Sequence, residues 1–403
     1  MLDDTDVQGH IIPGFGRGYQ IVVGLDLENV NQGQFCEWVA ARVTSMCALS
    51  KERLSRSKEN SKSRISVSVS LDCVFRELSL DMPQRVPLGP VGSTRRTAFI
   101  CISALDPATV EESFNELKKF CRTKDSMRFA WRGRTGAGTE MDVNPFGFVD
   151  GRLQPRLAIS ERSCERQKRY SNKKDPAASI GDFIVGQGFR IAWDYNNFGL
   201  DCRQHEAKLR NGSFLVLLRF AVSVSRFYES LEREVERLKK IRPDLGITTE
   251  WLAEQMFGVT LTGDRIVNRG RACCLLARHV EKMALTEHAN QNQTRPLIRR
   301  GFWSEENVDG WSTLYFMCFQ TSVTEQFGHL YTKWANDVDY PSAAVGPDPI
   351  LGKPGSFWSV LRVTSPTASM SEFVLQKSAE FVRPLDGQCF FMPAINGIQK
   401  FVQ

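Results

Sequence analysis

Ser213-Phe214-Leu215-Val216-Leu217-Leu218-Arg219-Phe220-Ala221-Val222, followed shortly by Glu229-Ser230-Leu231-Glu232-Arg233-Glu234-Val235-Glu236-Arg237-Leu238-Lys239-Lys240, reads as a strand leading into a helix. The first run is almost wholly apolar and of strand length, which suits a strand covered on both faces. In the second, Leu231, Val235 and Leu238 fall on one helical face, and Glu236 can pair with Lys240 one turn on.

Outward from this pair the same alternation recurs. Trp311 to Gln320 reads as a further strand, followed by a helix through Phe327 to Trp334. Towards the start of the chain, Tyr19 to Leu27 reads as a strand and Gln34 to Ala48 as a helix. Val67 to Phe75, Thr97 to Ser103 and Met127 to Arg132 read as strands, with a helix from Pro107 to Phe120 before the last. Two halves that each run strand, helix, strand, strand, helix, strand predict an α+β protein built from a duplicated split β-α-β unit. The join falls within Ser160 to His205, where Arg162, Arg166, Lys168, Arg169, Lys173 and Lys174 crowd a polar stretch.

The 403 residues are 42% hydrophobic, enough for a sizeable core. No run approaches the roughly 20 uninterrupted apolar residues of a membrane span, and the opening Met1-Leu2-Asp3-Asp4-Thr5-Asp6 lacks the basic-then-apolar order of a signal peptide. The 11 cysteines are scattered, with no CxxC pair, which predicts reduced thiols, no structural zinc and a cytoplasmic setting. A net charge of +6 does not by itself imply nucleic acid or membrane partners. The basic runs at Lys51 to Arg64 and Arg162 to Lys174 lack interleaved aromatics for base stacking and read as solvated segments.

Three segments could carry chemistry. In Asn144-Pro145-Phe146-Gly147-Phe148-Val149-Asp150-Gly151-Arg152-Leu153-Gln154-Pro155, two glycines bracket one carboxylate in a Pro-bounded loop. Such a loop can turn tightly and project Asp150, although a plain β-turn has the same spacing. In Arg271-Ala272-Cys273-Cys274-Leu275-Leu276-Ala277-Arg278-His279-Val280-Glu281-Lys282, a histidine sits at an apolar-to-basic transition. A single imidazole is all that a peroxidase-type haem requires from the protein, but most histidines are surface or core groups. In Thr294-Arg295-Pro296-Leu297-Ile298-Arg299-Arg300-Gly301-Phe302, permanently charged guanidinium groups could hold a peroxide anion or a propionate, or could simply face solvent.

Together these segments resemble the dye-decolourising peroxidase family, and the resemblance runs the length of the chain. Asp6-Val7-Gln8-Gly9-His10-Ile11-Ile12-Pro13-Gly14-Phe15 is similar to that family's opening, and Gly147-Phe148-Val149-Asp150-Gly151 to its GxxDG signature. Gly181-Asp182-Phe183-Ile184-Val185-Gly186 and Asn211-Gly212-Ser213-Phe214-Leu215-Val216 resemble its strand motifs, and Arg299-Arg300-Gly301 its distal arginine segment. Cys318-Phe319-Gln320, Gln326-Phe327, Trp334-Ala335-Asn336-Asp337 and Asp348-Pro349-Ile350-Leu351-Gly352 follow in the family's order.

The resemblance implies a duplicated ferredoxin-like, dimeric α+β barrel architecture of two antiparallel sheets with peripheral helices. Its halves would be 1–190, carrying the GxxDG loop, and 206–403, carrying the haem pocket, joined by a linker over 191–205. It implies an oxidoreductase that binds haem b (iron protoporphyrin IX), reduces hydrogen peroxide and oxidises bulky organic donors such as dyes or phenolics, with a homo-oligomer allowed. His279 would ligate the iron, Asp150 would serve as acid and base, and Arg299 would stabilise charge from the distal face. Phe316, Gly151 and Arg152 would line the cofactor. The aromatic residues Trp303, Trp311, Tyr331 and Trp334 are candidates for carrying electrons to a large donor.

Two departures stand out. The family often continues Ile-Arg-Lys-x-Asn-Pro-Arg after the histidine, where this chain has Val280-Glu281-Lys282-Met283-Ala284-Leu285-Thr286. Phe302-Trp303-Ser304 replaces the usual Pro-Tyr-Gly. These departures favour an alternative, a haem-binding or haem-free relative that lacks peroxidase activity and serves as a binding or sensing module; joint retention of Asp150, His279 and Arg299 favours the enzyme.

Overall fold

A computed structural model describes residues 2–16, 18–55, 62–71, 74, 96–135, 143–149, 154–155, 157, 178–187, 207–266, 274–275, 278–283, 295–341, 343–352, 359–363, 371–376 and 379–403. In the first half, β1 (Tyr19–Asp26), α1 (Gln32–Arg42), α2 (Met46–Ser55), β2 (Arg64–Ser70), β3 (Thr97–Ala104), α3 (Pro107–Lys118) and β4 (Met127–Arg134) follow one another. The second half runs β5 (Ser213–Val222), α4 (Val224–Ile241), α5 (Thr249–Phe257), β6 (Cys274–Leu275), α6 (His279–Met283), β7 (Ile298–Val308) and β8 (Trp311–Gln320). It ends with a π-helix (Val323–Trp334), β9 (Ser359–Val363), β10 (Ser371–Leu375), β11 (Val382–Met392) and α7 (Ile398–Val402).

Eight strands close into one antiparallel barrel in the order β1-β3-β2-β11-β5-β8-β7-β4, and β10-β9-β6 form a small separate sheet. The two main sheets expected from the sequence are therefore fused. Within each half the strands take the same order: β4-β1-β3-β2 in the first and β11-β5-β8-β7 in the second. Two short seams join the halves, Phe390↔Ser70 and Phe391↔Val69 on one side, Gly133↔Ser304 and Arg134↔Trp303 on the other. Gly133 makes the second seam possible, because a Cβ there would lie 2.1 Å from the Trp303 carbonyl oxygen. The expected linker over 191–205 lies outside the described residues.

Period-2 alternation sorts the strand side chains onto two faces. Val22, Phe99, Leu215, Leu217, Met317, Phe319 and Phe390, from strands around the whole ring, share one cluster, which only the barrel interior allows. The alternate residues Ile21, Val23, Ile100, Val216, Leu218 and Cys318 join a second cluster with Phe114 and Leu117 of α3 and Leu231, Val235 and Leu238 of α4. Helices thus cover the outer face, and both faces of β5 are buried along most of its length, as its largely apolar run requires.

The segment before β1 docks against the barrel strands. Gln8 exchanges hydrogen bonds with the Val67 backbone and donates to the Pro393 carbonyl. His10 is buried, stacks on Phe15 at 4.5 Å and meets the Ser66 hydroxyl at 3.0 Å. Arg300 then donates to the carbonyls of His10, Ile11 and Pro13, while Asp6 accepts from Asn211 and from the Asn396 backbone.

Candidate functional site

Arg299 and Phe316 lie on neighbouring strands, where Arg299 pairs with Cys318 and Gly301 with Phe316. Directly opposed residues share a face, so Arg299, Cys318 and Phe316 all belong to the outer, helix-covered side. Phe316 packs against Phe220 of β5 and Phe327 of the π-helix, at ring distances of 6.5 and 6.3 Å. Burial pushes the Cys318 thiol up, with Cys389 adding to the effect and Arg299 opposing it.

Asp150, Gly151 and Arg152 lie outside the described residues, but the chain on either side of them is pinned. On one side, the Val149 N–H donates to the Leu261 carbonyl, Phe148 packs on Phe257 at 4.6 Å, and the Tyr228 hydroxyl donates to the Phe146 carbonyl at 2.7 Å. On the other, the Gln154 side-chain amide makes a two-point contact with the Arg299 backbone, accepting from its N–H at 3.1 Å and donating to its carbonyl at 2.9 Å. Val149 is thus fastened just beyond the end of α5, and Gln154 to the strand that bears Arg299. Gln154 lies in the same sequence motif as Asp150, but a side-chain amide that binds backbone leaves no pattern in a sequence.

His279 opens α6, and its ring stands edge-on to Phe257 at 6.4 Å. Its Nδ1 lies 2.9 Å from a carboxylate oxygen of Asp348, whose side chain is fully buried. The other Asp348 oxygen accepts from the backbone N–H groups of Ile350 and Leu351, both at 2.8 Å. Burial alone would raise the Asp348 carboxyl; the facing imidazole and the two N–H donors outweigh it and hold the group below the ordinary aspartate value. A buried carboxylate so held fixes which imidazole nitrogen faces it and how the ring is turned. The sequence placed Asp348 within a motif of the resemblance but did not connect it to His279.

Around this pair, Arg278 is buried and donates to the Gln255 side chain and the Ile266 carbonyl. Lys282 is also buried, with Nζ donating to the Asp337 carbonyl at 2.6 Å and the Trp334 carbonyl at 3.3 Å. Burial pulls its ammonium down to about 8, against the opposing influence of Asp348 and Asp337. Among the described residues no group of three or more His, Cys, Asp or Glu side chains could hold a metal ion.

Of the four candidate electron carriers, Trp303 packs against Phe146, Tyr331 stacks on Phe327, Trp334 stacks on Tyr340, and Trp311 lies beneath Arg226 and Arg383. No helix among the described residues is long and apolar enough to cross a membrane.

No family model matches the sequence, and no curated protein matches it. Solved structures do match in fold. A mutant of the dye-decolorizing peroxidase from Pleurotus ostreatus aligns with a TM-score of 0.73 at 16% identity, over 99% of each chain. A fungal DyP-type peroxidase from Auricularia auricula-judae aligns at 0.71 and 16%, over 100% of this chain and 99% of that one. A DyP-type peroxidase from Anabaena aligns at 0.71 and 16%, over 99% of this chain and 94% of that one. The chain has the fold of the dye-decolorizing peroxidases along its whole length.

Proposed function

We propose that this chain is a haem-dependent peroxidase of the dye-decolourising type, which reduces hydrogen peroxide and oxidises a bulky organic donor. One observation carries the reading. The imidazole of His279 has Nδ1 engaged by a buried carboxylate, while among the described residues its Nε2 has no hydrogen-bond partner. A ring held in that way presents one nitrogen lone pair, the donor that a peroxidase-type iron porphyrin takes from a protein. The residues therefore fit b-type haem, which supplies the redox chemistry when bound.

In this reading the residues divide the work. His279 ligates the iron, and Asp348 keeps its Nδ1 protonated and its ring oriented. Arg299 offers a fixed positive charge where peroxide becomes anionic, and Phe316 gives the pocket an apolar wall. Asp150 takes the proton from one peroxide oxygen and returns it to the oxygen that leaves as water, while Gly151 and Arg152 border the cofactor. The pinning of Val149 to Leu261 and of Gln154 to Arg299 supports a carboxylate at position 150 close to that guanidinium. The matching strand order of the two halves supports a duplicated ferredoxin-like unit, with halves at 1–190 and 206–403 around a linker. Free thiols at Cys36, Cys47, Cys101, Cys121, Cys318 and Cys389 favour a reducing, cytoplasmic setting.

Glu281, 3.6 Å from Arg278, stands where the resembled family often has arginine, and this favours a second reading as a haem protein without turnover. Absorption spectra separate the two. Haem-reconstituted protein should give a Soret band that His279→Ala abolishes or displaces, and peroxide should change the band during turnover. Asp150→Asn and Arg299→Leu should retain haem but slow peroxide activation. A Soret band indifferent to His279→Ala ends the ligand assignment, and a spectrum indifferent to peroxide selects the second reading.

A further inference from the structure

Lys282 is a buried charge in this region that the proposed chemistry leaves unused. A buried ammonium costs several kcal/mol of desolvation, and an apolar residue of similar volume would fill the space more cheaply. Its bonds explain what it does. On α6 it stands one turn after His279, and its Nζ reaches out of the helix to the Trp334 and Asp337 carbonyls at the end of the π-helix. Between those two carbonyls lies that of Ala335, which accepts the Asp348 N–H at 2.7 Å. Asp348 in turn holds His279. The path from His279 through Asp348, Ala335, the Trp334–Asp337 turn and Lys282 back to α6 is a closed ring of hydrogen bonds and backbone.

We propose that Lys282 is a positioning residue for the His279 imidazole, clamping α6 to the turn that carries Asp348 so that ring and carboxylate cannot drift apart. The ammonium suits this task, since it can serve two carbonyls at once and lies where the end of a helix concentrates negative potential. The Tyr340 ring, 5.8 Å from Nζ and stacked on Trp334 at 4.2 Å, covers the clamp. Although the value of an oriented imidazole rests on the haem-ligand reading, the clamp itself does not.

The test uses the haem-free chain. In the wild type, nuclear magnetic resonance should detect a slowly exchanging His279 Nδ1 proton at the downfield position of an imidazole bonded to a carboxylate. Lys282→Arg, which can span the same carbonyls, should keep the signal; Lys282→Met and Lys282→Gln should lose it while the fold's other amide signals persist. A space-filling lysine would instead lower thermal stability and leave the signal intact in Met and Gln, and that result overturns the proposal. Should neither variant fold, wild-type exchange decides. Equal protection of the His279 Nδ1 proton and the Asp348 amide supports one clamped unit, and much faster exchange at His279 refutes it. If the wild type bears the protected proton but never takes up haem, the function fails and the clamp stands.

Discussion

Asp348 and His10 show how differently burial acts on one side chain and another. Asp348 is charged, with each oxygen occupied, so replacing it by Asn keeps the shape while weakening its hold on His279. From the usual effect of such supporting groups, haem affinity or turnover should drop by about 10- to 100-fold, read by haem titration. Because its folded pKa lies below the ordinary 3.8, the stability it contributes is present above that pH and is lost as acid approaches the lower, folded value. His10 behaves as a buried neutral base: burial first, then Arg300, push it from 6.5 down to about 3. Between those values the unfolded chain binds a proton that the folded chain refuses, so stability falls as pH drops through the window. A shift of this kind is worth about 1.4 kcal/mol per unit, and His10→Gln should flatten the dependence of denaturation midpoint on pH between 6.5 and 3. An unchanged slope would mean that His10 is not the buried base described. The sequence marks His279 as a candidate because an imidazole is scarce and chemically distinctive. Its partner escapes, since a carboxylate 69 residues away becomes adjacent only through the fold.

At the level of elements, what the sequence reveals depends on whether local pattern or tertiary pairing decides. The strands over Ser213–Val222 and Trp311–Gln320 occur at the expected boundaries, because strand-length runs dominated by apolar and aromatic residues leave few alternatives. Other elements differ. The strand expected over Val67 to Phe75 instead spans Arg64–Ser70, with Leu71 and Val74 helical beyond it. The helix expected over Gln34 to Ala48 is split, as Val43 turns extended and bridges to Ile65. Val382–Met392 gave no period-2 signal, since Pro384, Asp386 and Gly387 interrupt it, with a register shift between Pro384 and Asp386. Ile298–Val308 carries Arg299 and Arg300 near its start and Glu305 and Glu306 further on, so it resembles a loop until β8 pairs with it. The seam between β4 and β7 makes an element-scale prediction. Gly133→Ala drives a methyl group into the Trp303 backbone and should cost about 1–3 kcal/mol, with hydrogen exchange accelerated first along 133–134 and 303–304. Wild-type protection there would show that the strands can part to admit a side chain.

Over the whole molecule, the two halves have little independence. Their clusters are common property: the barrel interior joins Val22 and Phe99 to Leu217 and Phe319, and the outer cluster joins Ile100 to Val216. Neither half can close its sheet without the other, so calorimetry should record one cooperative unfolding transition, with enthalpies from heat and from the van't Hoff slope in agreement. Two separable transitions would instead assign each half its own core. The docked segment before β1 carries a further consequence for folding. Gln8 and Asp6 take partners both in β2 and, 385 and 390 residues away, beside the end of β11, so the segment is fully fastened only when strands from both halves are in place. The segment thus acts as a latch on the closed ring, and loosening it exposes one seam of the barrel to strand exchange with a neighbour.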